Sequence, residues 1–211
     1  MKARKGMFII FVVLIGVVFS FTPVHAYPVN IGDTIYLGDG PGTTSGGEFT
    51  VGKIIGGDLF RTFCIETDEY ITLGSPYVVA DISTQAVAGG SGGSSPDPLD
   101  SRTAYLFYHF SIGTLSGYNY GPGRAGSADL LQQAIWFIEQ EGGGVTNSFV
   151  TDAEAAITAG TWSGVGDVRV MNLTTPAGGL AQDVLTRVPE PATMLLLGFG
   201  LLGLGLVRRK S

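Results

Sequence analysis

The sequence predicts an α+β fold: a β-rich sandwich or barrel with an inserted helical subdomain, flanked by a signal peptide and a C-terminal transmembrane helix. Three observations support this prediction. Short β-branched or aromatic segments separated by turns occupy the first half of the mature chain. Segments with a helical period follow them, and a strand-like segment closes the domain.

Residues 1–26 have the three parts of a secretory signal. Three basic residues within the first five positions precede an apolar run from Met7 to Phe21, and a small residue, Ala26, ends the segment. The run is short for a membrane span, which disfavours the alternative of an uncleaved anchor. We therefore expect the mature chain to begin at Tyr27.

Residues 188–211 also have an ordered set of parts. Pro189, Glu190 and Pro191 precede sixteen apolar residues, 192–207, and a basic cluster follows. At about 1.5 Å per residue the apolar stretch covers roughly 24 Å, slightly under the thickness of a bilayer core. A basic end is typical of the cytoplasmic side, so we predict a transmembrane helix here.

This order of motif, apolar helix and basic tail resembles the PEP-CTERM sorting signal of bacterial exported proteins. The resemblance implies recognition by an exosortase, a membrane protease-transpeptidase that removes the tail. The protein is then released or re-anchored at the cell surface. A plain membrane anchor is the alternative, and it differs only in whether the tail persists.

The segment between these ends, residues 27–187, is predicted to be one extracellular domain, since it is long enough for a single core. It contains six basic and seventeen acidic residues, a net charge of −11. Nucleic-acid binding needs clustered Lys and Arg, so this charge argues against a nucleic-acid partner.

The strands are predicted from their length and composition. Each segment is rich in β-branched or aromatic residues and is bounded by glycine or polar turns. The predicted strands of the first half are IGDTIYLG, GEFTVGKIIG, LFRTFCIET, EYITLG and PYVVADIS, and VGDVRVMNLT is the closing strand.

Three helices are predicted between these strands. The first covers Ser101 to Phe110, and the second covers Ser127 to Gly142 with Ser127 as its N-cap. A glycine run ends the second helix, and a weaker third helix covers Thr151 to Ala159. Glycine-rich stretches such as PGTTSGGE and GPGRAGS are interpreted as loops.

The mature chain has one cysteine, Cys64, and one histidine, His109. These numbers exclude a zinc site or a site with several His ligands, and no EF-hand loop is present. A Cys64–His109 nucleophilic pair is conceivable, but no cysteine-protease signature surrounds either residue. We therefore predict no catalytic residues, no metal and no cofactor, and a protein that is not an enzyme.

The second helix places one of its glutamines near the domain interior. At about 100° per residue, four apolar residues share one face, and Gln132 lies on the shoulder of that face near Trp136. Gln133 points to the opposite side. The four residues are Leu131, Ala134, Ile135 and Ile138.

Three short motifs, Phe-Cys-Ile, Ala-Tyr-Leu-Phe and Leu-Gln-x-Ala-Ile-Trp, resemble the thioester domains of bacterial surface proteins. The resemblance covers residues 60–140 and implies an internal thioester between the Cys64 thiol and the Gln132 side chain. Relatives often have an acid directly after the Trp, where this chain has Phe137, with Glu139 two positions later. The residues that would shelter the bond are Phe63, Ile65, Ile135 and Trp136.

The resemblance implies that an amine- or hydroxyl-bearing surface protein or polysaccharide opens the thioester and becomes covalently bound, as in adhesion or matrix attachment. From composition and spacing alone, Cys64 is a buried core thiol. Two alternatives therefore stay open: a non-reactive structural component of extracellular matrix or biofilm, and, more distantly, a secreted cysteine hydrolase.

Overall fold

The computed structural model describes residues 29–43, 46–89, 92 and 94–188. In these residues the chain forms eight strands and three helices. The strands are β1 (Thr34–Gly38), β2 (Phe49–Gly52), β3 (Phe60–Thr62), β4 (Pro76–Ser83), β5 (Gln85–Ala86), β6 (Asp97–Pro98), β7 (Val168–Thr174) and β8 (Leu180–Arg187). The helices are α1 (Ser101–Ser111), α2 (Arg124–Ile138) and α3 (Ser148–Thr158), so the predicted α+β class, rich in sheet, is confirmed.

Six strands form one antiparallel sheet in the order β3-β2-β1-β4-β7-β8. Its two edges meet directly after β3, where residues 63–65 pair with residues 183–185 of β8. Two backbone hydrogen bonds of 3.1 and 3.2 Å flank the Cys64–Val184 bridge. We call this pairing the seam, because it closes the sheet on itself.

Two clusters of buried side chains lie on the two faces of the seam. Cys64 packs with side chains of β1, β2, β4 and β7, whereas its neighbours Phe63 and Ile65 pack with the three helices. Successive residues of an extended chain point to opposite faces, so the seam carries Cys64 on one face and its two apolar neighbours on the other. Trp136 of α2 belongs to the same cluster as Cys64.

The first helix begins at the predicted residue, Ser101, whereas the third begins at Ser148, three residues before its predicted start. Side chains of Asp100 and Asn147 accept hydrogen bonds from backbone N–H groups of the first turns of α1 and α3, as N-caps do. For α2 the predicted boundaries were wrong, because the helix begins at Arg124 after Gly123 and ends at Ile138. The predicted cap, Ser127, lies inside the helix, where its hydroxyl accepts a hydrogen bond from the Asn119 N–H.

Two strand predictions also differ from the structure. EYITLG, residues 69–74, is not a strand: its Thr72 N–H donates to the Tyr77 hydroxyl, and Gly74 has a φ of +75° in a turn. β8 was not predicted, because its buried positions include the polar residues Gln182 and Asp183. The remaining predicted strands contain β1, β2, β3, β4 and β7.

The signal segment and the sorting segment, with Pro189, Glu190 and Pro191, lie outside the described residues. The predicted C-terminal transmembrane helix therefore stays a prediction. Within the described part of the chain, no helix is long and apolar enough to cross a membrane. Residues 27–188 form one compact unit.

Candidate functional site

The structure brings Cys64 and Gln132 into direct contact. The Gln132 Nε2 donates a hydrogen bond of 2.8 Å to the Cys64 carbonyl, and the Cys64 N–H donates one of 3.1 Å to Gln132 Oε1. Both residues have 0% exposure. The seam and helix α2 thus hold a carboxamide against the backbone of a thiol residue 68 positions away.

A third hydrogen bond to Gln132 comes from the segment between β1 and β2, whose described residues, 39–43 and 46–48, we call the cover loop. The Gly47 N–H donates to Gln132 Oε1 at 3.1 Å. The oxygen therefore accepts two backbone N–H groups, from Gly47 and Cys64. Two such donors polarise a carbonyl and stabilise negative charge that develops on its oxygen.

Close packing explains the glycine at position 46. A Cβ at Gly46 would lie 2.5 Å from Trp136 Cζ2 and 3.0 Å from Gln132 Cγ. The backbone of the cover loop therefore lies directly on these two side chains. A side chain at this position would push the loop away from the carboxamide.

The cover loop is fixed to α2 through a buried carboxylate, Glu48, which is 1% exposed. Arg124 donates two hydrogen bonds to it, of 2.6 and 2.8 Å, and the Tyr118 hydroxyl donates another of 2.6 Å. Burial and the Glu48 carboxylate raise the pKa of Tyr118, so its hydroxyl stays a donor. Thr43 adds two hydrogen bonds of 2.6 Å to Asp129.

The four predicted environment residues are all buried, but they lie on different faces. Trp136 packs with Cys64, and its Nε1 donates to the Glu66 carbonyl at 3.2 Å. The other three, Phe63, Ile65 and Ile135, belong to the helical cluster. Burial, and to a smaller extent the Glu66 charge, raises the pKa of the Cys64 thiol, so a free thiol here is protonated.

A cavity of about 230 Å³ opens beside the cover loop. Gly46 lines it and also contacts Gln132, so one loop residue separates the cavity from the carboxamide. The exposed side chain of Tyr70 and the carboxylate of Asp39 also line it. The cavity therefore lies next to the part of the cover loop that packs on Gln132.

His109 and Glu139 lie elsewhere. His109 Nδ1 is 2.8 Å from the Thr114 hydroxyl, and its ring contacts are with aromatic residues, Trp162 among them, so no contact supports a Cys64–His109 pair. Glu139 is 4% exposed and accepts a hydrogen bond of 3.2 Å from the Asp100 N–H. Its hydrogen bond therefore joins it to the N-terminus of α1 and not to Cys64 or Gln132.

Burial, with the charges of Asp100 and Asp97, raises the pKa of Glu139 to about 8. Arg102 is the cation that faces this group. Glu139, the acid nearest in sequence to the position where relatives have one, is therefore a buried group at the N-terminus of α1.

Sequence reasoning missed the cover loop as part of this site. Its segment, PGTTSGGE, was interpreted only as a loop, although the paired glycines before Glu48 supply both the close approach and the N–H donor. A glycine pair followed by a single acid is too common a pattern to have identified these roles. The partner of Glu48, Arg124, lies 76 positions away.

The comparison with known families concerns the C-terminal segment. The sequence model of the PEP-CTERM protein-sorting motif matches residues 187–210, which contain Pro189, Glu190 and Pro191. No curated protein and no solved structure matches the chain. The predicted sorting signal is confirmed, and the thioester stays a prediction. The chain is therefore an exported protein that carries a PEP-CTERM signal, is processed by exosortase at the membrane, and is released to the cell surface or the extracellular space.

Proposed function

We propose that this exported protein forms an internal thioester between Cys64 and Gln132 and uses it to bind a nucleophilic partner covalently at the cell surface. The observation that carries the proposal is the set of three hydrogen bonds that holds the Gln132 carboxamide against Cys64 and beneath Gly47. The partner is an amine- or hydroxyl-bearing surface protein or polysaccharide. Each molecule reacts once, so the protein is a cross-linker and not an enzyme.

The bond forms by attack of the Cys64 sulfur on the side-chain carbonyl carbon of Gln132. Negative charge develops on Oε1, where the N–H groups of Gly47 and Cys64 are already 3.1 Å away. The C–N bond breaks, and the nitrogen leaves as ammonia with the proton of the thiol. Holding both groups in place replaces a bimolecular collision with an intramolecular reaction, and each oxyanion donor contributes about 10²- to 10³-fold in rate.

Burial protects the thioester from hydrolysis by water. A partner amine, which is a stronger nucleophile than water, opens it. Both residues have 0% exposure, and Trp136 belongs to the same buried cluster as Cys64. A partner amine attacks the carbonyl carbon, the C–S bond breaks, and the sulfur takes up a proton from the amine. The product is an amide on residue 132 and a free Cys64 thiol.

The cavity beside the cover loop is the proposed route of entry. Its space is several times that of a water molecule, and its wall at Gly46 touches Gln132. Asp39 at its edge attracts a lysine ammonium more than a neutral hydroxyl, and the ammonium gives one proton to water before the neutral amine attacks. A lysine side chain of a partner protein is therefore preferred to a sugar hydroxyl.

Intact mass of the mature exported protein tests the proposal. A chain with the thioester is one ammonia lighter than its sequence, and a chain in which water has opened the bond carries a deamidated Gln132. Methylamine adds to the thioester and exposes one thiol. Cys64→Ala and Gln132→Glu remove the reaction, whereas Gln133→Ala on the neighbouring, outward-facing glutamine leaves it intact.

One result decides against the proposal. A mature chain with the full sequence mass, an intact Gln132 and one thiol that reacts after unfolding has no thioester. The three hydrogen bonds then serve only to satisfy a buried carboxamide, which favours the structural component of matrix or biofilm. Turnover of a substrate that His109→Ala abolishes indicates a hydrolase instead.

A further inference from the structure

Three carboxylates meet at the seam, apart from the Cys64–Gln132 contact. One oxygen from each of Glu66, Glu69 and Asp183 lies within 4.8 Å of the others. Glu66 and Asp183 are 1% exposed, and Glu69 is partly buried. The sequence predicted no metal site, because these residues come from segments 117 positions apart that only the closed sheet brings together.

Two oxygens of this cluster are buried without a hydrogen-bond partner, Glu66 Oε1 and Glu69 Oε2. The rest of the cluster is held firmly. Glu66 Oε2 accepts from the Asp183 N–H at 3.3 Å, and the Asp183 carboxylate accepts from Asn172 Nδ2 at 2.6 Å and the Leu173 N–H at 3.0 Å. The unpartnered Glu66 oxygen therefore belongs to a side chain fixed by its neighbours.

Among the residues that the structure describes, no ion pair involves Glu66, Glu69 or Asp183. The ion pairs within the described residues involve other acids, such as Glu48 and Asp167. Buried carboxylates with neither a counter-ion nor a donor are costly, so they take up a cation or a proton. Because Glu66 is almost completely buried and its Oε1 has no donor, the cluster requires such a partner at its centre.

We propose that Glu66, Glu69 and Asp183 bind a divalent cation of the calcium type. Carboxylate oxygens are the ligands that calcium and magnesium prefer. Calcium accepts a flexible, irregular arrangement of such ligands, whereas magnesium requires near-ideal octahedral geometry. Three carboxylates from two separate segments therefore suit calcium better, and water completes its coordination.

The ion joins the two sides of the seam. Glu66 and Glu69 follow the first side, residues 63–65, and Asp183 belongs to the second. A cation bound to all three resists separation of β8 from the segment after β3. Calcium therefore stabilises the closed sheet whether or not the thioester has formed.

A shared proton is the competing way to neutralise the cluster. Burial, with the Asp183 charge, raises the pKa of Glu66 and of Glu69. A proton between Glu66 and Glu69 would give both unpartnered oxygens a hydrogen bond. The two explanations differ in whether added calcium binds.

Calorimetric titration of the chelator-treated mature protein with calcium chloride tests the site, with terbium luminescence as a second readout. We expect one bound ion with a Kd of about 10⁻⁴–10⁻³ M, the range of extracellular calcium modules, at least tenfold weaker binding of magnesium, and a calcium-dependent rise in Tm. Glu69→Gln should weaken calcium binding at least tenfold. Asp68→Asn, the same change of charge on the exposed neighbouring acid, should leave the Kd within about threefold.

Absence of saturable calcium binding by the wild-type protein overturns the proposal, as does equal weakening by Asp68→Asn, which indicates a diffuse acidic surface. Higher stability of Glu69→Gln with no response to calcium favours the shared proton and also overturns it. Cys64→Ala must bind calcium like the wild type. Loss of the thioester with retained calcium binding therefore rejects the proposed function alone.

Discussion

Replacing Gly46 by alanine tests whether the cover loop takes part in forming the thioester. Gly46 has no positive φ, so alanine fits its backbone, and the effect of the change is steric. The new Cβ would lie 2.5 Å from Cζ2 and 2.7 Å from Cη2 of Trp136. The indole is held by its hydrogen bond to the Glu66 carbonyl, so the loop moves instead.

The size of the displacement follows from the distances. Ordinary contact begins at 3.4 Å, so the loop must retreat by about 0.9 Å. The hydrogen bond from the Gly47 N–H to Gln132 Oε1, now 3.1 Å, would lengthen to about 4 Å. One of the two oxyanion donors is then lost, and we expect thioester formation to slow by about 10²- to 10³-fold.

Intact mass at intervals after cell-free synthesis of the mature chain measures the rate at which ammonia is lost. Gly126→Ala is the matched control, because it makes the same change within α2 where a Cβ has nothing within 4 Å. This control should form the thioester at the wild-type rate and gain about 0.5–1 kcal/mol of stability. Thioester formation at the wild-type rate in Gly46→Ala would refute the role given to the Gly47 N–H.

Two further predictions concern the buried acids of the domain. Arg124→Met leaves the Glu48 carboxylate without its two short hydrogen bonds and should lower the free energy of unfolding by about 2–3 kcal/mol in urea titrations; Lys53→Met, which breaks an exposed ion pair, should cost less than about 1 kcal/mol. An equal effect of the two changes would contradict the importance of the buried pair. Glu139 is held protonated in the folded state, with a pKa of about 8 against 4.5 unfolded, so its contribution to stability falls as pH rises from 4.5 to 8. Glu139→Gln should therefore match the wild type near pH 4 and exceed it by up to about 5 kcal/mol near pH 9, and a difference that does not change with pH would contradict this assignment.

The local patterns of the sequence predicted much of the fold. β4 and β7 were predicted from segments rich in β-branched residues between turns, and α1 from the helical pattern of Ser101 to Phe110. The helical period also placed Gln132 near the interior and Gln133 on the outer side. Full burial of Gln132 was beyond this reasoning, since a distant loop provides its cover.

The wrong structural predictions share a physical cause: contacts with residues far away in the sequence determine the local structure of these segments. Glycines made GPGRAGS look like a loop, yet Arg124 begins a helix there and its side chain pairs with Glu48 of the cover loop. β8 was missed because Asp183 looks like a surface residue until its partners across the sheet are known. The acid cluster was missed for the same reason.

The seam is short compared with the rest of the sheet, and this affects how the domain opens. Residues 63–65 meet β8 through two backbone hydrogen bonds, whereas β7 and β8 pair along most of their length. Segments with few hydrogen bonds open locally at a lower free energy than the whole domain unfolds. Cys64 lies at the centre of this short pairing. The variant Gln132→Glu keeps a free thiol, so the rate at which a thiol reagent labels it would measure how often the seam opens locally. The single cysteine is thus a built-in probe of local opening at the seam.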